Sequence, residues 1–112
     1  MEQNWIEGFC GAVTVCDKEG IILYMNDKAV TTFAKYGGRE LIGRNLFDCH
    51  PEPARTKLKA MMNERKTNSY TIEKNGVKKL IHQSPWYKNE VYQGFVELSI
   101  EIPVEMPHHV RN

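Results

Sequence analysis

The chain predicts an α+β fold, a five-stranded antiparallel sheet with helices packed on one face. Two observations at the ends carry it. Residues 12–17 and 21–26 are two short β-rich runs separated only by Lys18, Glu19 and Gly20, the spacing of a hairpin whose Gly supplies positive φ. From Tyr70 to Ile102 apolar residues recur with period two, interrupted by Asn75-Gly76, the strongest short hairpin signal. A third observation lies between them: there the period is helical, so helices separate the second strand from the third.

In the second run Ile22 and Tyr24 alternate with Ile21, Leu23 and Met25, so both faces are apolar and the strand is expected to be central, covered on both sides. Asn26 is a helix cap for a short helix gathering Ala29, Val30 and Phe33 on one face, and Gly37-Gly38 ends it. Residues 39–42 suit one further helical turn before Gly43, and residues 44–50 have no clean period. Pro51 and Pro53 stand at the entrance of a helix whose Ala54, Leu58, Met61 and Met62 form an apolar stripe. Three strands follow as a meander, over about residues 70–74, 77–87 and 91–102. In the last, Val96, Leu98, Ile100 and Ile102 alternate with Glu97, Ser99 and Glu101, so the aliphatic row is expected to face the core. The organisation is an extension over 1–11, one domain over 12–103 and a surface tail over 104–112.

With 112 residues the chain suits a single core, burying about 65% of the unfolded surface. Charged residues at 26% and apolar residues at 41% describe a folded globular protein rather than a disordered one. A formal net charge of +1 leaves no field to gather nucleic acid or anionic membrane. The locally basic Arg55, Lys57, Lys59, Arg65 and Lys66 read as a solvated helix face. No run has the roughly 18 apolar residues of a membrane span, and residues 1–9 lack a signal peptide's pattern, so a cytoplasmic location is expected. Cys10, Cys16 and Cys49 are odd in number and form no C-x-x-C pair, which fits reduced thiols.

The run Val13 to Asp17, then Gly20, Leu23-Tyr24-Met25-Asn26, Phe33, Gly37, Glu40-Leu41-Ile42-Gly43 and Arg44 is similar to the opening half of PAS domains. That family shows the same order: strand, acidic turn with Gly, strand ending in Asn, helix and an E-L-I-G segment. Residues 94–102 look like its last strand, and the resemblance spans about residues 10–103. Residues 43–51, ending Cys49-His50-Pro51, look like the "C-H-P" subgroup found beside hemerythrin-like domains. The resemblance implies a PAS-like fold, a curved sheet holding a ligand-sized cavity against its helices, and signalling through homodimers or partner proteins. With no further domain in the sequence, output is expected from the module itself or through a separate signalling partner.

Enzymatic chemistry is not expected, since there is no P-loop, G-x-S-x-G elbow, H-E-x-x-H or dinucleotide fingerprint. Cys49 and His50 are adjacent, and neighbouring side chains point apart, which is poor geometry for a nucleophile and its base. Gly43-Arg44-Asn45 resembles the start of flavin photosensors, but Leu46 stands where their reactive Cys would be, so flavin is disfavoured. Haem is the cofactor candidate, with His50 as axial ligand and His82 as the second choice; His108-His109 lie in the tail.

The candidate cavity residues are Phe33, Leu46, Phe47, His50, Leu58, Met61, Met62, Ile72, Leu80, Trp86 and Leu98. Two successive Met facing an aromatic-rich sheet make an adaptable wall for a small apolar or aromatic molecule. The function expected is a sensory module binding a small ligand or cofactor. Two alternatives remain, a haem gas or redox sensor through His50 and a ligand-free dimerisation module. Trp5, Ile6, Phe9, Tyr24 and Tyr92 supply apolar area for a homodimer, or fold back on their own sheet edge.

Overall fold

The opening hairpin forms as its turn chemistry dictates. In the computed structural model, which describes residues 4–112, strand β1 (Ala12–Asp17) pairs antiparallel with β2 (Ile22–Met25). Asp17 Oδ1 accepts from the backbone N–H groups of Glu19 and Ile21, each at 2.9 Å, which closes the turn. Gly20 has φ +89°, and a Cβ there would lie 2.7 Å from the Phe47 ring. Both facts demand glycine.

The other strands are β3 (Asn68–Lys74), β4 (Val77–Lys88) and β5 (Val91–Ile102), all paired antiparallel in the order β2-β1-β5-β4-β3. Asn75 (φ 52°) and Gly76 (φ 78°) both take positive φ at the β3–β4 turn, as a two-residue hairpin of right-handed twist requires. The expectation of a central second strand is corrected, because β2 lies at the sheet edge with Leu23 48% exposed. Its apolar character on both faces reflects a different cover. Ile22 N–H donates to Arg44 O at 2.9 Å, and Gly43 N–H donates to Ile22 O at 2.7 Å, so residues 43–45 sheathe the edge and leave few free backbone groups.

Helix α1 (Asp27–Thr32) starts at Asn26, whose Oδ1 accepts from Ala29 N–H at 3.0 Å. The same oxygen accepts from Val13 N–H at 2.9 Å, while Nδ2 donates to Ile6 O and Gly11 O at 2.9 Å each. Asn26 is fully buried, and its four bonds tie the N-terminal segment, β1 and α1 together. Short 3₁₀ turns follow at Ala34–Tyr36, Gly38–Leu41 and Leu46–Cys49. The last gives residues 44–50 the order their sequence does not reveal. Helix α2 (Ala54–Glu64) then begins behind Pro53, with Thr56 N–H and Oγ1 donating to Glu52 Oε1 at 3.0 and 2.7 Å. Its stripe is Leu58, Met61 and buried Met62, whereas Ala54 is exposed.

Two clusters form the core. One joins Ala12, Ile22, Met25, Ala29 and Leu41; the other joins Cys16, Met62 and Phe95, with Leu46 bordering both. Cross-strand register fixes which sheet face they use. Cys16 pairs with Phe95 and Thr14 with Glu97, so Phe95, Glu97 and Ser99 of β5 share the helix side. Val96, Leu98, Ile100 and Ile102 therefore lie on the outer face, a correction to the expected orientation of this strand. Alternation distinguishes two faces but does not say which one the helices cover. Gly11 lies at the N-terminal approach to that outer face, where a Cβ would meet Ile100 Cγ1 and Phe9 Cε2 at 2.9 Å.

Candidate functional site

A cavity of about 720 Å³ opens between the helical segments and the inner sheet face. Its walls are Phe33, Leu46, Leu58, Met61 and Met62, with Met25 and Ile22 from the sheet edge. Its floor carries Thr14 and Cys16 from β1, Phe95 and Glu97 from β5, and Gln83 from β4. Arg44, Asp48 and Cys49 are exposed lining residues at its rim. Sulfur is prominent, from Cys16, Cys49, Met25, Met61 and Met62, which gives polarizable walls able to adapt to a ligand's shape.

Six of the residues singled out in the sequence meet here: Phe33, Leu46, His50, Leu58, Met61 and Met62. The other five stand elsewhere. Phe47 is turned under Gly20 and lines a separate hollow with Lys59 and Tyr92. Ile72 is 45% exposed on β3, an edge strand exposed along its whole length. Leu80, Trp86 and Leu98 fall on the outer face, because Leu80 pairs with Ile100, Trp86 with Gly94 and Leu98 with Val13. His82 shares that face and is 2.6 Å from Ser69 Oγ through Nδ1, away from the cavity. His108 and His109 are exposed.

His50 is held by its neighbours. It precedes Pro51 and takes the extended conformation that proline imposes on the residue before it, φ −118° and ψ 116°. Its Nδ1 lies 2.8 Å from Leu46 O, a carbonyl that can only accept, so Nδ1 carries the proton and Nε2 of the neutral ring is an acceptor. Arg55 fixes the segment from the other side, its Nε donating to Phe47 O at 3.0 Å and His50 O at 3.2 Å. Of the basic stretch expected to form a solvated face, Lys57, Lys59, Arg65 and Lys66 are exposed, and the half-buried Arg55 is the exception. Lys59 lies 5.2 Å over the Phe47 ring, Arg65 4.5 Å over Tyr92 and Lys66 Nζ 3.5 Å from Glu64 Oε2, so four of its five cations have partners.

The floor is more polar than the sequence suggested. Asn68, Gln83, Glu97 and Thr14 are consecutive cross-strand partners on β3, β4, β5 and β1. Asn68 Nδ2 donates to Gln83 Oε1 at 3.1 Å, and Gln83 Nε2 donates to Glu97 Oε2 at 2.7 Å. Beside this row burial pushes the Cys16 thiol up, partly offset by the Phe95 backbone N–H, with Asp17 and Glu97 adding to the rise. A thiol raised in this way is less ionised and so a weaker nucleophile. Gln83 and Glu97 escaped the sequence reading because a polar residue in an alternating strand is ordinarily assigned to the wet face; only register with Cys16 and Phe95 places them inside.

Tyr92 also changes role. Residues Trp86 and Tyr87 pair with Gly94 and Tyr92, leaving Gln93 as the extra residue of a bulge. The bulge turns Tyr92 to the inner side, where it packs with Met62 and Phe95.

The sequence matches the model of the PAS domain family over residues 10–94. No curated protein matches it. Among solved structures it is similar to a C-terminal domain from Streptococcus mutans (20% identity, 86% of this chain and 78% of that one, TM-score 0.70). It is also similar to the Aer2 receptor of Vibrio cholerae, described as a dual PAS-heme oxygen sensor (21% identity, 88% and 99%, TM-score 0.66). The PAS domain of BvgS from Bordetella pertussis is a third (18% identity, 88% and 81%, TM-score 0.63). At these identities the structures speak for the fold, and the family match covers most of the strands and both helices: the chain belongs to the PAS domain family.

Proposed function

We propose that this PAS domain is a sensory module that binds a small molecule between its helices and the inner sheet face and transmits occupancy through its outer sheet face. The observation that carries this is the cavity of about 720 Å³, largely apolar, with a few convergent polar groups on its floor. The outer face supports the second half of the proposal. Leu80, Val96, Leu98, Ile100 and Ile102 are only half-buried there, and such a row suits a second copy of the chain in a symmetric dimer.

The test is a cavity-filling variant. Leu58→Trp projects an indole into the space and should abolish stabilisation by any small aromatic molecule that raises the melting temperature of the wild type. If such a molecule stabilises both proteins equally, it does not bind in the cavity. Light scattering at tens of micromolar should give a dimer for the wild type and a monomer for Leu98→Glu; a monomeric wild type would count against the outer-face proposal.

A second reading rests on His50. The Leu46 carbonyl bound at Nδ1 leaves Nε2 as an acceptor in a residue that lines the cavity, which is the form of histidine that ligates iron. Haem, if bound, would supply a gas- or redox-sensitive centre, held by His50 among Leu58, Met61 and Met62. Haemin titration discriminates: a Soret shift lost in His50→Ala supports this reading, and identical spectra for both proteins reject it.

A further inference from the structure

We propose that the ligand is a cationic amine with an apolar or aromatic body, its ammonium seated on Glu97; this rests on the cavity reading above. Glu97 lies on β5, between Thr14 of β1 and Gln83 of β4, on the face that the helices roof. It is half-buried, yet among the described residues no Lys, Arg or His nitrogen lies within 4.0 Å of its carboxylate oxygens. A half-buried carboxylate without a protein counter-charge leaves a negative position that a cationic group can complete.

Gln83 compensates one oxygen only. Its Nε2 donates to Glu97 Oε2 at 2.7 Å, and its Oε1 accepts from Asn68 at 3.1 Å. The Asn68 bond fixes the Gln83 amide with its N–H toward the carboxylate. Glu97 Oε1 has no hydrogen-bond donor among the described residues. The carboxylate is thus anchored through Oε2 by a row of amides, with Oε1 unbonded in a residue that lines the cavity. Its field reaches its neighbours, since the Glu97 charge contributes to raising both the Cys16 thiol and the Tyr70 hydroxyl, after burial as the larger cause in each.

The remaining charges do not favour an anion. Arg44 and Asp48 both line the rim, both are exposed, and their charges are opposite, so the mouth is electrically balanced and solvent-screened. The floor charge decides the sign. Above it, Met61, Met62, Leu46 and Phe33 offer thioether and apolar surface suited to an aromatic body.

Three indole probes of equal body and different head test this by calorimetry at pH 7: tryptamine (ammonium), tryptophol (neutral) and indole-3-acetate (anionic). Tryptamine should bind at least tenfold more tightly than either of the others. Glu97→Gln keeps an acceptor for Gln83 and should lower tryptamine affinity at least tenfold while leaving tryptophol unchanged. Glu105→Gln, an equal charge change in the exposed tail, should alter neither. If tryptophol or indole-3-acetate binds as tightly as tryptamine, or Glu97→Gln leaves tryptamine unaffected, the amine assignment is overturned. The cavity reading survives that result provided Leu58→Trp abolishes the binding observed. If none of the three binds at millimolar concentration, both are overturned.

Discussion

Trp86 Nε1 donates to the backbone carbonyl of Cys16 at 3.1 Å, crossing β5 at Gly94, the cross-strand partner of Trp86. Gly94 has φ +150°, and a Cβ there would stand 2.0 Å from Cys16 O and under 3 Å from Asp17 backbone atoms. Backbone cannot yield as a side-chain tip can. Gly94→Ala is therefore expected to cost about 2–4 kcal/mol through displaced β1–β5 pairing. Trp86→Phe, which removes only the indole donor, should cost about 1–2 kcal/mol. Urea titration of both variants checks the ranking; equal stability of Gly94→Ala and wild type would sink the account.

Asn26 has four bonds and no exposure. Asn26→Ala leaves two buried N–H groups and two carbonyls without partners and should destabilise by about 2–4 kcal/mol. Asn26→Asp preserves the acceptor for Val13 and Ala29 but sets a carboxylate oxygen against the Ile6 and Gly11 carbonyls. It should be no better than alanine at pH 7. A mild effect of Asn26→Asp in thermal unfolding would show that the donor half of the amide contributes nothing.

Arg55 and Lys57 differ by two positions on α2 and should differ in consequence. Arg55 donates to Phe47 O and His50 O, whereas Lys57 is exposed. Arg55→Met is expected to cost about 1.5–3 kcal/mol, as hydrogen bonds to a charged donor do, and to weaken binding of any cavity ligand by loosening the His50 segment. Lys57→Met should change stability by less than about 0.5 kcal/mol. Matched melting temperatures for the two variants would contradict the clamp.

Tyr24 donates its hydroxyl to Glu7, and desolvation together with that bond and the Glu7 charge pushes its pKa up to about 12 from an ordinary 10.0. The raised folded-state value means the unfolded chain releases this proton first as pH rises. The contribution is whole below pH 10 and is lost on approaching pH 12. Stability should decline across that window, and Tyr24→Phe should decline less steeply, the remainder coming from Tyr70, Tyr92 and Cys16, whose values are also raised. Parallel pH profiles for wild type and Tyr24→Phe would show that the Glu7 bond is not formed in solution.

Local chemistry made much of the fold legible. Asn26 as a cap, Gly20 and Asn75-Gly76 as turns, and the period change after α2 are decided by residues within a few positions of one another, which a linear reading can test. The helical wall of the cavity was legible for the same reason. Leu58, Met61 and Met62 share a face at helical spacing, and Phe33, Leu46 and His50 sit in the connecting segments.

What only the tertiary structure decided is the side of the sheet on which the helices lie and the place of β2 within it. Period two sorts Leu98 from Glu97 and Leu80 from Gln83 without saying which set is roofed, and a hydrophobicity rule selects the aliphatic set. Here the helices cover the set containing Gln83 and Glu97, because α1 and α2 must pack on the Ala12, Cys16 and Phe95 face through Ala29 and Met62. Sequence alone determined the elements and their order. The long-range β1–β5 register determined the inner face, and with it a carboxylate where the strand pattern predicted a wet surface.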